Sequence, residues 1–183
     1  MVERVNEMMV KVLGVIPLSA TINYFGTYRI HVLDLLLITD AGILVLKNVC
    51  GLKGLEEVFP ISRKRLSELF KNLPRSAGEF RKYIYSIIGL SINLDSLAKM
   101  LGRKFSKRCI LIPYRNMVSL RLEKRTAHMI VTKVNIMEVK VDTEKKNYCF
   151  LILPGGYKDV TEDIAYAEVL DMLRKAKFPI TTL

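Results

Sequence analysis

Two acidic residues and one lysine are spaced so that they could support metal-dependent hydrolysis. Glu138 and Lys140 are separated by one residue in a segment that alternates polar and apolar side chains, and Glu123 lies in an earlier segment of the same kind. Residues two apart share one face of a strand. The carboxylates could then hold Mg²⁺ while the lysine steadies the attacking water or the phosphate. The set predicts a Mg²⁺-dependent nuclease as one alternative, and alternating charge on an exposed strand produces the same E-x-K pattern.

Other common catalytic and ligand-binding motifs are missing from the sequence. The glycines of 51–54 lack the spacing of a phosphate-binding loop, no G-x-S-x-G elbow is present, and His31 and His128 lie outside any zinc-binding pattern. The three cysteines are widely spaced and form no C-x-x-C pair: Cys50, Cys109 and Cys149. We therefore expect a non-enzymatic protein without metal or cofactor, whose cysteines are buried apolar side chains.

The positive charge is concentrated in one part of the chain. The net charge is +11, and residues 61–108 contribute +9 of it, with twelve bases against three acids. The bases are Arg63, Lys64, Arg65, Lys71, Arg75, Arg81, Lys82, Lys99, Arg103, Lys104, Lys107 and Arg108. A local imbalance of this kind is typical of a surface that docks an anionic partner. The alternative is the solvated outer face of helices that are packed on their apolar side.

Three amphipathic helices are predicted inside this basic segment, each bounded by a capping residue and a helix breaker. They run from Ser62 to Pro74, from Ser76 to Gly89 and from Asn93 to Gly102. The apolar face of the third helix would contain Leu94, Leu97, Ala98 and Leu101.

The third helix also begins a pattern typical of a helix-turn-helix. Leu94–Gly102 would be the first helix and the turn, and the basic stretch Lys104–Ile112 would be the recognition helix. Pro113 and the apolar run before it favour a strand instead. One alternative is therefore a nucleic-acid-binding protein that uses the basic helices of 62–112, and the other is a helix that only packs on the core.

Strands are predicted on both sides of the helices. Tyr28–Leu46 contains two β-prone runs around Asp40–Gly42, where we expect a hairpin with Gly42 at positive φ. Met8–Ile16 is predicted as a strand that ends at Pro17, and its apolar spacing also suits a helix. Later strands are expected at 109–112, 118–123, 137–142 and 148–153. The period-two pattern of the second and third of these would bury Val118, Leu120, Leu122, Met137, Val139 and Val141.

The last predicted element is a helix over 159–177. Asp159 would cap it, acids lie in its first turn and bases in its last, and both choices oppose the helix dipole. Its inner stripe would be Ile164, Ala167, Leu170 and Leu173.

The strand-rich parts resemble the PH-like superfold in its GRAM-like and bacterial variants. Leu35–Asp40 followed by Ile43–Leu46 is similar to the early hairpin of that family, and Ile110–Met117 is similar to its I-P-Y strand. The resemblance implies an antiparallel barrel or sheet of about seven strands with a closing helix. PH-like domains that bind phosphoinositides use bases between their first strands, where this chain has Arg29 and Lys47.

We therefore expect an α+β protein whose residues 1–183 form a single domain, with a basic helical insertion at 55–107. No stretch of about 20 apolar residues is present, so we expect a cytoplasmic protein, with a peripheral membrane location as the alternative. The absence of glutamine indicates a thermophilic source. The expected function is a binding or adaptor module for an anionic partner: an acidic protein, a membrane surface or a nucleic acid.

Overall fold

The computed structural model describes residues 8–24, 27–47, 85–128, 133–152 and 161–182. The strands are β1 (Met9–Tyr24), β2 (Thr27–Thr39), β3 (Gly42–Leu46), β4 (Ser91–Asn93), β5 (Cys109–Pro113), β6 (Met117–His128), β7 (Lys133–Thr143), β8 (Asn147–Ile152) and β9 (Thr181–Thr182). The helices are α1 (Leu94–Leu101), α2 (Phe105–Arg108) and α3 (Glu162–Arg174), with 3₁₀ turns at Gly102–Lys104 and Tyr114–Asn116. The fold class is α+β, as predicted, with mostly strands and few helices.

Five strands form the first sheet, in the order β4-β1-β2-β3-β5, and every pair in it is antiparallel. The predicted hairpin is confirmed, since Leu35 pairs with Leu46 and Ile38 pairs with Ile43. Gly42 is not among the described glycines with positive φ. It is required for a different reason, because a Cβ at this position would lie 2.2 Å from the backbone oxygen of Ile112 on β5.

Four strands form the second sheet, in the order β8-β7-β6-β9. The pairs of β6 with β7 and of β7 with β8 are antiparallel, whereas β9 runs parallel to β6 at Arg121 and Leu122. The predicted inner face of β7 is confirmed because Met137, Val139 and Val141 are buried.

The part of the first sheet formed by 35–38 and 43–46 is buried on both faces and therefore separates two apolar cores. One core lies between the two sheets and α3, and it joins Ile16 and Leu36 to Val139 and Val169. The other core covers the opposite face of the first sheet under α1, and it includes Leu37 and residues from 87–97. Burial on both faces explains why 35–38 in β2 and 43–46 in β3 are continuous apolar runs rather than alternating ones. Each fully buried leucine or isoleucine contributes about 1.5–3 kcal/mol.

Helix α1 forms as predicted. The Asn93 side chain accepts a 2.9 Å hydrogen bond from the backbone N–H of Ser96, which satisfies one of the free donors at the helix start. Leu94 and Leu97 are buried in the second core. Gly102 follows the last helical residue with a φ of 49°, a conformation that glycine adopts without strain. The first predicted helix and most of the second, 62–84, lie outside the described residues.

The prediction that Pro17 ends the first strand is wrong. β1 continues through Pro17, which pairs with Leu35, and reaches Tyr24. Proline is tolerated where a strand has no neighbour on one side. Among the described residues, β4 pairs with β1 only over Met9–Lys11, so within that part of the chain no strand pairs with this side of β1 at Pro17.

Two predicted inner faces are also corrected. Val118 is 62% exposed, because a register shift between Met117 and Ser119 places it in a bulge of β6. In α3 the buried residues are Ala165, Val169, Met172 and Leu173. Ile164 is instead 49% exposed, and Ala167 is exposed as well. Apolar residues surround most of this helix, so the spacing alone could not select its buried face. Asp159, its predicted cap, lies outside the described residues, and Thr161 precedes the first turn.

None of the helices in the described part of the chain is long and apolar enough to cross a membrane.

Candidate functional site

Five of the twelve predicted binding residues lie in the described part of the chain. The other seven lie outside it: Arg63, Lys64, Arg65, Lys71, Arg75, Arg81 and Lys82. Lys99 is on α1, Arg103 and Lys104 are in the 3₁₀ turn that follows, and Lys107 and Arg108 are on α2. We refer to these five residues as the basic run. They follow one another along a continuous helical path of ten residues that leads into β5.

The basic run faces solvent because the apolar residues of the same path are held by the second core. Leu97 is buried there, and Leu101 and Phe105 pack against it. Lys99, Arg103, Lys104 and Lys107 are exposed, and Arg108 is half-buried. The amphipathic pattern that forms the helix therefore also directs its cations outward.

The cations of the basic run have few acidic neighbours. From residue 80 to residue 122 the sequence contains a single acid, Asp95, whose carboxylate accepts a 2.8 Å hydrogen bond from the backbone N–H of Met8. Among the described residues, no carboxylate forms a salt bridge with Lys99, Arg103, Lys104 or Lys107.

One end of the basic run is anchored to the first sheet. The Arg108 guanidinium donates a 3.3 Å hydrogen bond to the backbone oxygen of Lys47, and the Lys47 N–H donates a 2.7 Å hydrogen bond to the Arg108 oxygen. Lys47 thus adds a sixth base at this end. The side chain of Arg29, the other base named by the PH-like resemblance, is outside the described part.

The outer face of the second sheet carries charges of a different kind. Six charged residues from β6 and β7 lie together on this face, three basic and three acidic, and we refer to them as the charge ladder: Arg121, Glu123, Arg125, Glu138, Lys140 and Asp142. Arg121 is 2.6 Å from Asp142, and Arg125 is 3.3 Å from Glu138. The ladder is electrically neutral, and each of its charges has a partner within it.

The structure brings together the three residues of the predicted nuclease site. Lys140 lies 2.5 Å from Glu123 and 3.3 Å from Glu138. Both carboxylates are therefore already paired with an ammonium, and Glu138 is only 3% exposed. The described residues contain no group of three or more His, Cys, Asp or Glu side chains that could hold a metal ion. The arrangement matches a structural ion-pair network more closely than an open Mg²⁺ site.

Hydrogen bonds in the ladder favour its charged forms. The bond to Glu123 raises the pKa of Lys140, with a smaller contribution from Glu138. The hydroxyl of Ser119 donates a 2.6 Å hydrogen bond to Asp142, and this bond and Arg121 lower the pKa of that carboxyl. Both shifts hold the ladder in its ion-paired state at neutral pH.

The helix-turn-helix prediction is not supported by the elements after Gly102. α2 spans only Phe105–Arg108, and Cys109–Pro113 forms β5 in the first sheet. A recognition helix needs enough length to lie in the major groove, and these residues cannot leave the sheet without breaking five pairs with β3.

The sequence reasoning missed a cleft at the far end of β5. It has a volume of about 300 Å³ and is lined by Leu111, Ile112, Pro113, Asn116, Thr143, Glu144, Lys145, Lys146 and Tyr148. The strands predicted at 137–142 and 148–153 imply a connection between them, but no local pattern indicates that this connection faces the end of β5. That proximity follows from the pairing of Met117 with Thr143.

Comparisons with known proteins do not assign a family to this chain. No family model, no curated protein and no solved structure matches it.

Proposed function

We propose that this chain is a non-enzymatic binding or adaptor module that presents the basic run to an anionic partner. One observation carries the proposal. Four exposed cations follow one another on a helical path, and no described carboxylate pairs with them. The charge ladder of the same molecule differs from the basic run in this respect, because each cation of the ladder is paired with an acidic side chain.

The affinity of such a surface for an anionic partner can be estimated from the number of its cations. A base close to an anionic membrane contributes about 1 kcal/mol to binding. On a nucleic acid, each phosphate neutralised adds about 0.9 to the slope of log K against log salt concentration. Four free cations thus supply about 4 kcal/mol on an anionic membrane, which corresponds to a dissociation constant on the order of 1 mM, and this binding should weaken steeply as the salt concentration rises. An acidic protein would be held by the same attraction.

We also propose that the strands form a PH-like barrel within a single domain. The support is their order: β1, β2, β3 and β5 form one antiparallel sheet, and β6, β7 and β8 form the next. α3 follows and packs against the core between the sheets. About seven strands are expected for the superfold, and in this proposal they are the seven named above, with β4 and β9 as additions. The basic run would then lie at the end of an insertion between β3 and β5.

The test is a charge-reversal variant with a matched control. The variant Lys99→Glu/Arg103→Glu/Lys104→Glu/Lys107→Glu removes the free cations and lowers the net charge by eight. The control Lys11→Glu/Arg115→Glu/Arg174→Glu/Lys177→Glu makes the same change at exposed positions elsewhere. Both variants are compared with the unsubstituted chain by circular dichroism before binding is measured.

Binding is measured on vesicles of phosphatidylcholine with and without phosphatidylserine, and on a 20-base-pair DNA duplex. We expect the basic-run variant to lose at least 10-fold in affinity for the anionic probe that binds, and the control to lose less than 3-fold. Preference for serine-containing vesicles would indicate a membrane partner, and a salt slope lowered by about 3 to 4 on DNA would indicate a nucleic acid. If the two variants lose affinity for the anionic probe equally, the basic run is only a solvated surface and the proposal is wrong.

A further inference from the structure

The cleft beside β5 has the form of a small binding site. Its apolar lining residues, which we call its floor, are Leu111, Ile112 and Pro113 from β5 and Tyr148 from β8. Its polar lining residues, which we call its rim, are Asn116 and those of the turn 143–146. The volume of about 300 Å³ is at the lower end of the range for small-molecule sites, which combine apolar walls with a few polar groups.

The turn at the rim is held in place by its own hydrogen bonds. The backbone N–H and the hydroxyl of Thr143 both donate to the Lys146 oxygen, at 3.0 and 2.7 Å. The Lys146 N–H in turn donates to the Thr143 hydroxyl oxygen at 3.0 Å. Three bonds across four residues fix the backbone from which two lysine side chains extend.

The ammonium of Lys146 is also positioned by an aromatic ring. It lies 4.9 Å from the centre of the Tyr148 ring, within the range of a cation–π contact. Tyr148 stacks in turn on Phe150, with ring centres 6.1 Å apart, and both rings pack on the core between the sheets. A cation is thus held at the cleft before any ligand arrives, which lowers the ordering cost of binding an anion there.

The charge of the rim suits a ligand with one anionic group. Lys145 and Lys146 outnumber Glu144, which leaves a net charge of +1 beside an apolar floor. Among the described residues, no salt bridge involves any of these three side chains. The side-chain amide of Asn116 can donate a further hydrogen bond to an anion.

This cleft is separate from the basic run. The basic run enters β5 at Cys109, whereas the cleft lies around Pro113 at the other end of the strand. Cys109 and Pro113 are four residues apart along the strand, which corresponds to roughly 13 Å at about 3.3 Å per residue.

We propose that the cleft binds a small amphiphilic anion, with its apolar body against Pro113 and Tyr148 and its anionic group at Lys145 and Lys146. The proposal does not depend on the partner of the basic run.

The probe is 8-anilinonaphthalene-1-sulfonate, which joins an aromatic body to one negative charge, with neutral N-phenyl-1-naphthylamine as its matched analogue. From about 0.3 kcal/mol per ligand atom, we expect the sulfonate to bind with a dissociation constant on the order of 10–100 μM. Fluorescence titration gives the affinity. Changes in the NMR chemical shifts of the backbone amides of residues 143–148 during the titration show whether the sulfonate binds at the cleft.

Two variants test the cleft by independent means. Lys145→Glu/Lys146→Glu removes the cations and should weaken sulfonate binding at least 10-fold while changing binding of the neutral analogue less than 2-fold. Asn116→Trp fills the mouth and should weaken both probes. The control Lys99→Glu/Lys107→Glu should leave sulfonate binding within 2-fold, even if it abolishes binding to the partner of the basic run. Absence of saturable sulfonate binding, or binding that survives both cleft variants unchanged, overturns the proposal.

Discussion

The ammonium of Lys140 on β7 donates a 2.5 Å hydrogen bond to the carboxylate of Glu123 on β6. This diagonal contact joins the two halves of the charge ladder, because Lys140 is also 3.3 Å from Glu138. Opposite charges on neighbouring strands stabilise their register. The directly opposite partners carry like charges, Arg121 with Lys140 and Glu123 with Glu138, so the ladder favours this register of β6 and β7 only through its diagonal contacts. The inner faces of the same strands depend on this register to present Leu122 and Val139 to the core.

The first prediction concerns Glu138, the buried member of the ladder. In Glu138→Gln the side chain keeps its shape but loses its charge, and the cations of Arg125 and Lys140 lose one partner. We expect the free energy of unfolding to fall by about 1–3 kcal/mol, the usual cost when one partner of a buried charged hydrogen bond is removed. Urea denaturation measures the change. Glu144→Gln on the exposed turn is the control and should change stability by less than about 0.5 kcal/mol.

The same variant tests the nuclease alternative. Since both carboxylates are paired with Lys140, we expect no Mg²⁺-dependent cleavage of DNA or RNA by the unsubstituted chain. Cleavage of plasmid DNA and of a labelled RNA is followed with Mg²⁺ and with EDTA. Activity that requires Mg²⁺ and disappears in Glu138→Gln but persists in Glu144→Gln would show that the ladder is a catalytic site.

The second prediction concerns the two described cysteines. Burial raises the pKa of the Cys109 thiol from 9.0 to about 11, and Cys109 is only 8% exposed. Burial also raises the pKa of Cys149, but this residue is exposed. The thiolate is the reactive form. At pH 8 we therefore expect iodoacetamide to alkylate Cys149 at least 10-fold faster than Cys109 in the folded protein.

Peptide mass spectrometry on a Cys50→Ser background gives the two alkylation rates. In 6 M guanidinium the two thiols should react at similar rates, which is the control for local sequence effects. The raised pKa of Cys109 also has a consequence for stability. The contribution of the buried Cys109 thiol to the free energy of unfolding is complete below pH 9, the ordinary pKa of the thiol. This contribution declines as the pH rises toward about 11. Equal alkylation rates in the folded protein would contradict the packing of Cys109 in the second core.

The sequence predicted the elements whose signals are local. The cap Asn93, the buried Leu94 and Leu97 and the terminal Gly102 all lie within one helix, and each has the role expected of it. The hairpin of β2 and β3 was predicted for the same reason, since two apolar runs flank a short turn. These signals need no knowledge of what packs against them.

The failures are residues whose position depends on distant parts of the chain. Val118 fits an alternating strand, but the bulge that exposes it is set by pairing with β7. Ile164 fits the inner stripe of a helix whose buried face is selected by the core between the sheets. The cleft is the clearest example of a site that local sequence patterns do not predict. Its lining residues come from two segments, 111–116 and 143–148, that are separated by about thirty residues in the sequence, and no local pattern connects the two segments.

The basic run and the charge ladder show that the arrangement of charged side chains can be predicted from the sequence only in part. The excess of bases in 61–108 is visible in the composition, and four of its five described members are exposed as expected, whereas Arg108 is half-buried. The pairing of Arg121 with Asp142 is not visible, because it requires the register of β6 and β7. Composition thus indicated where cations are in excess but not which cations are already neutralised.

The last prediction concerns Gly42, the first residue of β3. Gly42 lies opposite Pro113 on β5. A Cβ at this position would be 2.2 Å from the Ile112 oxygen and 2.8 Å from the Pro113 Cα. Both atoms belong to the backbone, so no side chain can rotate away and the two strands must separate. We expect Gly42→Ala to lower the free energy of unfolding by about 2–3 kcal/mol, as is usual for overpacking in a rigid core.

Gly102→Ala is the matched control for this substitution. A Cβ at Gly102 would have no neighbour within 4 Å, but the φ of 49° is unfavourable for alanine. This strain costs about 1–2 kcal/mol, so Gly42→Ala should be the more destabilising of the two in urea denaturation. If Gly42→Ala unfolds at the same urea concentration as the unsubstituted chain, β3 and β5 do not approach as closely as their pairing indicates. Since Ile112 and Pro113 also form the floor of the cleft, a stable Gly42→Ala variant with weakened sulfonate binding would instead show that the substitution displaces β5 locally.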